Sequence, residues 1–69
     1  MNTLKELKDA ALDAMHAHGC YGFVADAEHG LCCHAETRGG RPRVQFDTYP
    51  GNDSLTAKQA ATKYKRVTA

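Results

Sequence analysis

The sequence lacks any apolar run approaching the roughly 20 residues that a membrane span needs. Its first ten residues, MNTLKELKDA, alternate in charge and contain no apolar segment of the kind found in secretory signals. There is also no internal repeat, linker or low-complexity tract. With 42% hydrophobic and 25% charged residues, the composition is that of a folded chain. We therefore expect one small intracellular domain over residues 1–69.

Cysteine pairing and catalytic signatures are missing as well. Three cysteines are an odd number, which argues against a closed disulfide framework, and an intracellular chain keeps its thiols reduced. No nucleophile elbow, phosphate-binding loop or paired-carboxylate pattern is present. These absences predict a protein that is not an enzyme and that carries no cofactor.

Two stretches have the apolar spacing of amphipathic helices. The first starts with the capping box Thr3-Leu4-Lys5-Glu6 and stops before Gly19, which predicts a helix over Leu4–His18. The second starts with the capping box Thr56-Ala57-Lys58-Gln59 and predicts a helix over about residues 57–67. The apolar stripe of the first helix is predicted to end with His18.

Between these helices the apolar residues alternate, which predicts three short strands, in YGFVADA, LCCHAET and RVQFDTY. Reading residues 28–30 as a three-residue hairpin loop puts Phe23 opposite Ala35 and Ala25 opposite Cys33. Reading residues 39–40 as a two-residue loop puts Arg38 opposite Arg41. The predicted fold is α+β, in the order α-β-β-β-α. It is a three-stranded antiparallel meander with both helices packed on one face.

This register leaves the other face of the sheet open and predicts which side chains lie on it. The first strand would contribute Gly22, Val24 and Asp26, the second Cys32, His34 and Glu36, and the third Arg43, Gln45, Asp47 and Tyr49. Cys32 would lie at the surface between Asp26 and Asp47, and Glu36 would face Arg43, a favourable cross-strand pair. Tyr49 would be the single exposed aromatic residue of the sheet.

The stretch Gly30-Leu31-Cys32-Cys33-His34 resembles a metal-ligand cluster, and alternation argues against that reading. Neighbouring residues of a strand point to opposite faces, so Cys32 and Cys33 cannot both bind one ion. Cys32, His34 and the flanking aspartates form only a weak metal motif. Carboxylates beside Cys32 disfavour a reactive thiolate. We predict no metal site and no thiol catalysis, with Cys33 in the core.

Basic residues are concentrated in the second half of the chain. Residues 1–36 carry two lysines against six acidic residues, a net charge of −4, whereas residues 37–69 carry seven basic residues against two acidic ones, a net charge of +5. Arg38, Arg41 and Arg43 cluster at one hairpin tip, while Lys63, Lys65 and Arg66 cluster at the end of the second helix. Two such clusters are candidates for a phosphate clamp, although cations also suit a helix C-terminus.

The order αβββα and the chain length resemble a double-stranded-RNA-binding domain over the whole chain. That family begins its last helix with Ser-Lys-Lys-x-Ala-Lys and a run of alanines, and the matching stretch here is Ser54-Leu55-Thr56-Ala57-Lys58-Gln59-Ala60-Ala61. The lysine pair is replaced by Leu55 and Thr56. The resemblance implies an alternative function as a nucleic-acid-binding module.

The small size, the absence of a catalytic motif, the α+β pattern and the uneven charge are similar to those of phage-encoded anti-CRISPR inhibitors. This similarity implies a protein of the bacterial host cytoplasm that docks on a Cas subunit or effector complex and blocks nucleic-acid binding or recruitment. We expect a protein partner, direct nucleic-acid contact as the alternative, and no membrane. An exposed strand edge or the open face is also compatible with a homodimer. The predicted partner-binding residues are Arg38, Arg41, Arg43, Cys32, His34, Glu36 and Tyr49.

Overall fold

The structure is a computed structural model that describes residues 2–68, with side chains described through Lys65. In chain order the elements are α1 (Leu4–His18), β1 (Tyr21–Asp26), β2 (Leu31–Arg38), β3 (Arg41–Thr48), β4 (Ser54–Leu55) and α2 (Ala57–Thr68). The strands form one antiparallel sheet in the order β1-β2-β3-β4. The predicted α+β class is confirmed, and β4 adds a two-residue strand to the predicted three.

Both helices begin where the sequence predicts, because Thr3 and Thr56 both act as N-caps. The Glu6 amide donates to Thr3 Oγ1 over 3.1 Å. At the start of α2 the capping is reciprocal: the Gln59 amide donates to Thr56 Oγ1, and the Thr56 amide donates to Gln59 Oε1. Gly19 ends α1 in the left-handed conformation, with φ at 93°.

The two helices pack on the same face of the sheet, as predicted, and a single core lies between them and the strands. Its buried members are Leu7, Ala11 and Met15 from α1, Leu31, Cys33, Ala35 and Phe46 from the sheet, and Ala60 and Tyr64 from α2. His18, predicted to close the apolar stripe of α1, is exposed. Neither helix within residues 2–68 is long and apolar enough to cross a membrane.

The β2–β3 hairpin has the predicted register. Gly39 and Gly40 both have positive φ, 59° and 79°, as a two-residue hairpin turn of the primed type requires. Arg38 lies opposite Arg41 across this turn. The predicted pair of Glu36 with Arg43 is also present, and the same register places Cys33 opposite Phe46 and Ala35 opposite Val44.

The β1–β2 hairpin differs from the prediction by one residue. Its loop covers four residues, 27–30, and Phe23 therefore lies opposite His34, while Ala25 lies opposite Cys32. A shift of one residue turns every side chain of a strand to the other face. The predicted exposure of Gly22, Val24 and Asp26 is thus wrong, since these residues face the helices. Tyr21, Phe23 and Ala25 face away from them.

The physical reason for this register is the close approach of α1 to β1. Gly22 is buried beneath the helix, and a Cβ atom at this position would overlap the backbone of Ala11 and Met15. Glycine inside a strand is typical of such close backbone contacts. The alternation of apolar residues favoured Phe23 on the core side, but α1 leaves no room there for an aromatic ring.

This register makes opposite predictions for two adjacent residues of β1. We expect Gly22→Ala to lower the free energy of unfolding by at least about 1–3 kcal/mol, because the added methyl group overlaps the backbone of α1. We expect Phe23→Thr to change it by less than about 1 kcal/mol, because the ring is exposed and threonine suits a strand. Urea denaturation of both variants measures these changes.

The alternative register predicts the reverse order of effects. If Phe23 were a core residue, its truncation would cost about 3–5 kcal/mol, and an alanine at position 22 would be harmless. A large loss for Phe23→Thr together with a neutral Gly22→Ala would therefore contradict the structure.

Candidate functional site

The face of the sheet that the helices leave uncovered carries three exposed aromatic rings. We call it the open face. Tyr21 is 46% exposed, Phe23 is 43% exposed and Tyr49 is 37% exposed. The ring centroids of Phe23 and Tyr49 are 6.5 Å apart. The sequence predicted only Tyr49 on this face. The predicted register of β1 turned Phe23 toward the core and left Tyr21 unassigned.

His34 lies at the centre of the open face and contacts three polar side chains. Its Nδ1 is 2.6 Å from the hydroxyl of Tyr21. Its Nε2 is 3.0 Å from Oδ2 of Asp47 and 3.8 Å from Sγ of Cys32. The ring of Phe23 packs beside the imidazole, with centroids 4.9 Å apart. Both nitrogens of His34 therefore have partners.

Neighbouring strands bring these residues together. Cys32 and His34 are two residues apart on β2 and point to the same face, and Asp47 lies directly opposite Cys32 on β3. The side-chain amide of Gln45 donates to Oδ1 of Asp47 over 3.2 Å. That bond leaves Oδ2 of Asp47 directed at His34.

Cys32 points to the open face but does not reach the surface. The prediction of a surface thiol is wrong, because Cys32 is 0% exposed. Its predicted neighbour Asp47 is confirmed, whereas the predicted neighbour Asp26 faces the helices instead. Burial raises the pKa of the Cys32 thiol, and the negative charge of Asp47 raises it further.

These features do not favour a nucleophilic thiol. A reactive cysteine needs a lowered pKa and its own contact with a base, whereas Cys32 and Asp47 approach the same nitrogen of His34. Cys33, which lies in the core as predicted, has its pKa raised to about 11 by burial and then by the neighbouring Cys32.

A groove of about 400 Å³ runs from His34 and Asp47 toward the β2–β3 turn. Its walls include Tyr21, His34, Glu36, Arg38 and Arg43. Two of the predicted partner-binding arginines and the predicted glutamate thus line one concave surface. Arg41, the third arginine, is exposed at the start of β3, opposite Arg38. The groove carries charges of both signs.

The second basic cluster lies elsewhere on the molecule. Lys63 belongs to α2, which packs on the face of the sheet that the helices cover (the covered face). Its Nζ lies near Gly30, just before β2 begins, whereas the arginines lie at the β2–β3 turn, where β2 ends. β2 is eight residues long, which separates the two clusters by roughly 25 Å. Lys65 is exposed on the same helix, and the side chain of Arg66 lies outside the described residues. Among the described side chains, Lys63 is thus too far from Arg38 and Arg41 to hold one phosphate together with them.

Comparison with protein-family models, with curated proteins and with solved structures gives no match for this chain. Its function is therefore inferred from the residues of the open face.

A second polar cluster, which the sequence did not reveal, lies buried under α2. The hydroxyl of Tyr64 donates to Oδ2 of Asp26 over 2.9 Å. Nδ1 of His29 is 2.9 Å from the same oxygen, an ion-pair distance, although its N–H is not aligned for a hydrogen bond. The backbone amide of His29 donates to Oδ1 of Asp26. An aspartate three residues before His29 in a turn was the available signal.

This buried cluster ties α2 to the β1–β2 loop. Burial by itself would raise the pKa of Asp26, but the His29 ring and the Tyr64 hydroxyl outweigh it and hold that pKa below its ordinary value. Glu28 is nearby and could complete a set of metal ligands. Oδ2 of Asp26 already accepts a hydrogen bond from Tyr64, which is not a member of that set, and this bond holds α2; we therefore assign the cluster a structural role.

We expect Tyr64→Phe to lower the free energy of unfolding at pH 7 by about 1.5–3 kcal/mol, because a hydrogen bond to a buried carboxylate is lost. The folded pKa of Asp26 lies below its unfolded value of about 3.9. Its stabilising contribution is therefore present above that value and is lost as the pH falls through the folded pKa. Urea denaturation at pH 7 and at low pH measures both effects.

The Asp26→Asn variant is the control for the pH dependence, because it removes the titrating group. The difference in stability between wild type and Asp26→Asn should shrink as the pH is lowered. A difference that stays constant over this range would contradict a lowered pKa at Asp26.

The three thiols should differ in reactivity. Cys20 is exposed, whereas Cys32 and Cys33 are buried and have raised pKa values. We expect iodoacetamide at neutral pH to modify one cysteine of the native protein and all three in denaturant, as counted by mass spectrometry. Cys20→Ser should abolish the native labelling. Rapid modification of Cys32 in the native protein would contradict this expectation and would indicate a reactive thiol at that position.

Proposed function

We propose that this protein is a small non-catalytic binding module whose open face docks on a protein partner. In the form implied by its size and character, it is an inhibitor of the anti-CRISPR kind. Such a protein would bind a Cas subunit or effector complex and block nucleic-acid binding or recruitment. The observation that carries the docking proposal is the exposed group of Tyr21, Phe23 and Tyr49 beside an arginine-lined groove.

Aromatic residues and arginines support this proposal because they dominate the binding energy of protein interfaces. Tyrosine and arginine are enriched among the residues whose truncation costs most. On the open face Tyr21 lies in the groove with Arg38 and Arg43. Rings that are exposed in the free chain become buried when a partner covers them, which favours association.

The mixed charge of the groove favours a protein over a nucleic acid. Glu36 and Asp47 line the same groove as Arg38 and Arg43, and carboxylates repel phosphates. A protein surface can place an opposite charge against each of these groups, which contributes to the choice of partner.

Nucleic-acid binding remains the second candidate because the observed register adds two rings to the open face. Single-stranded nucleic acids stack their bases on exposed aromatic side chains and are held by nearby cations. Tyr21, Phe23 and Tyr49 with Arg41 at the turn provide those groups. Against this candidate, the second predicted basic cluster lies on the covered face.

We expect the protein to inhibit target cleavage by at least one purified CRISPR effector complex. The double variant Phe23→Ser/Tyr49→Ser should weaken both inhibition and binding. Truncation of a single dominant interface residue costs about 2 kcal/mol or more, which is about 30-fold in affinity. Titration of effector cleavage and calorimetry with the inhibited complex measure the loss.

Lys58→Ala is the matched control for Arg43→Ala, because Lys58 is an exposed cation on α2. Arg43→Ala should weaken binding and Lys58→Ala should not. Equal inhibition by the aromatic double variant and wild type would refute docking through the open face. Failure to inhibit any effector type would refute the anti-CRISPR form of the proposal.

Fluorescence anisotropy with single- and double-stranded DNA and RNA separates the two candidates. Nucleic-acid binding would show an affinity that falls steeply between about 50 and 200 mM salt. Docking on a protein predicts no such binding by the isolated chain. Salt-dependent binding that is lost in Phe23→Ser/Tyr49→Ser would favour the second candidate over the first.

A further inference from the structure

The cluster beneath the groove has the composition of a metal site. We propose that Cys32, His34 and Asp47 bind one Zn²⁺ ion, with the thiolate sulfur, Nε2 and a carboxylate oxygen as ligands and a fourth position open toward the groove. This inference concerns the free chain and does not depend on the docking of a partner.

The ligand atoms have the separations that a tetrahedral ion requires. One atom from each residue lies within 4.8 Å of the others. Zn–S and Zn–N bonds of about 2.3 and 2.0–2.1 Å imply about 3.5 Å between sulfur and nitrogen at the tetrahedral angle, and about 3.4 Å between nitrogen and oxygen. The observed distances are 3.8 Å from Cys32 Sγ to His34 Nε2 and 3.0 Å from Nε2 to Asp47 Oδ2. Both distances lie within about half an ångström of the tetrahedral values, and the sulfur and the carboxylate oxygen are within 4.8 Å of each other.

Two further side chains already orient the ligands. The Tyr21 hydroxyl lies 2.6 Å from Nδ1 of His34, where it can accept the ring proton and leave the Nε2 lone pair for the metal. Gln45 holds Oδ1 of Asp47, which directs Oδ2 to the cluster. Hydrogen-bond partners of this kind fix the tautomer and the direction of metal ligands in proteins.

Access and burial are also suitable. Cys32 forms the closed inner side of the site, at 0% exposure. The side chains of His34 and Asp47 are 29% and 14% exposed, and both line the groove. An ion can enter from the groove, and three protein ligands with one open position are typical of zinc sites that bind a further ligand.

The ligand set selects zinc among the common divalent cations. Mg²⁺ and Ca²⁺ prefer oxygen ligands throughout, whereas thiolate and imidazole favour Zn²⁺. When the ion binds, the sulfur–metal bond forms and the Cys32 S–H bond breaks, with its proton released to solvent. Asp47 and the imidazole of His34 supply lone pairs, and the thiol releases one proton for each ion bound.

The sequence predicted no metal site, because Cys32 and Cys33 point to opposite faces and because Cys32, His34 and the flanking aspartates form only a weak metal motif. The alternation is confirmed, and of the two flanking aspartates only Asp47 lies beside Cys32. A strand pair places residue i, residue i+2 and their cross-strand neighbour on one face. No regular ligand spacing in the sequence records such an arrangement.

The test uses the untagged full chain, reduced and freed of metal with chelator, and titrated with Co²⁺ and then Zn²⁺. We expect one equivalent of Co²⁺ to bind with a thiolate-to-cobalt charge-transfer band, and Zn²⁺ to displace it. The measured heat of Zn²⁺ binding should change with the ionisation enthalpy of the buffer, with a slope that corresponds to one proton released per ion. Tyr21→Phe should weaken binding about 10–100-fold, as the loss of a group that orients a ligand does.

The variants assign the ligands. Cys32→Ala should abolish the charge-transfer band, and His34→Gln and Asp47→Asn should each weaken binding more than Tyr21→Phe does. The side chains of His34 and Asp47 are partly exposed, so their substitution should not unfold the chain. These two variants therefore test the site even if the buried Cys32→Ala variant fails to fold. Cys20→Ser and Asp13→Asn change an exposed thiol and an exposed carboxylate away from the cluster; they are the matched controls and should bind as wild type does.

Three outcomes would overturn the proposal. The first is a wild-type chain that binds neither ion. The second is a charge-transfer band that survives in folded Cys32→Ala or disappears in Cys20→Ser. The third is wild-type affinity in His34→Gln, which would place the ion at another group such as His16 or His18 on α1.

Discussion

The contact between α1 and β1 at Gly22 is the constraint on which the rest of the structure depends. The helix backbone lies so close to this strand that only a residue without a Cβ atom fits between them. Because side chains alternate along a strand, the position of this one glycine decides the orientation of all of β1. It turns Asp26 toward α2 and sends Tyr21 and Phe23 to the open face.

Both polar clusters follow from that orientation. On the covered side, Asp26 reaches Tyr64 and His29, which joins the second helix to the first hairpin. On the open side, Tyr21 reaches His34, whose other nitrogen meets groups from β2 and β3. The register of β1 thus places Asp26 where it binds Tyr64 of α2, and Tyr21 where it holds the ring of His34 on the opposite face. The sheet acts as a rigid frame that positions both.

Local signals predicted the parts of the fold that depend on neighbouring residues. The capping boxes at Thr3 and Thr56 predicted both helix starts, and the paired glycines of the β2–β3 turn predicted the register of that hairpin. The first hairpin was predicted one residue out of register, because its loop is longer than the motif suggested. That single error left Tyr21 and Phe23 out of the predicted open face and placed Asp26, the partner of His29, on it. Hydrophobicity argued for a buried Phe23, and helix packing overrode it.

The sequence by itself determined the α+β class, the helix limits, the core position of Cys33 and the pairing of β2 with β3. Capping, turn chemistry and alternation act over a few residues, so they can be recognised in a linear chain. Only the tertiary structure decided that Phe23 is exposed, that Cys32 is buried although it points to the open face, and that the Tyr21 hydroxyl reaches Nδ1 of His34. These facts depend on how closely a distant helix approaches a strand and on which side chains cover a position, and neither is encoded in local spacing.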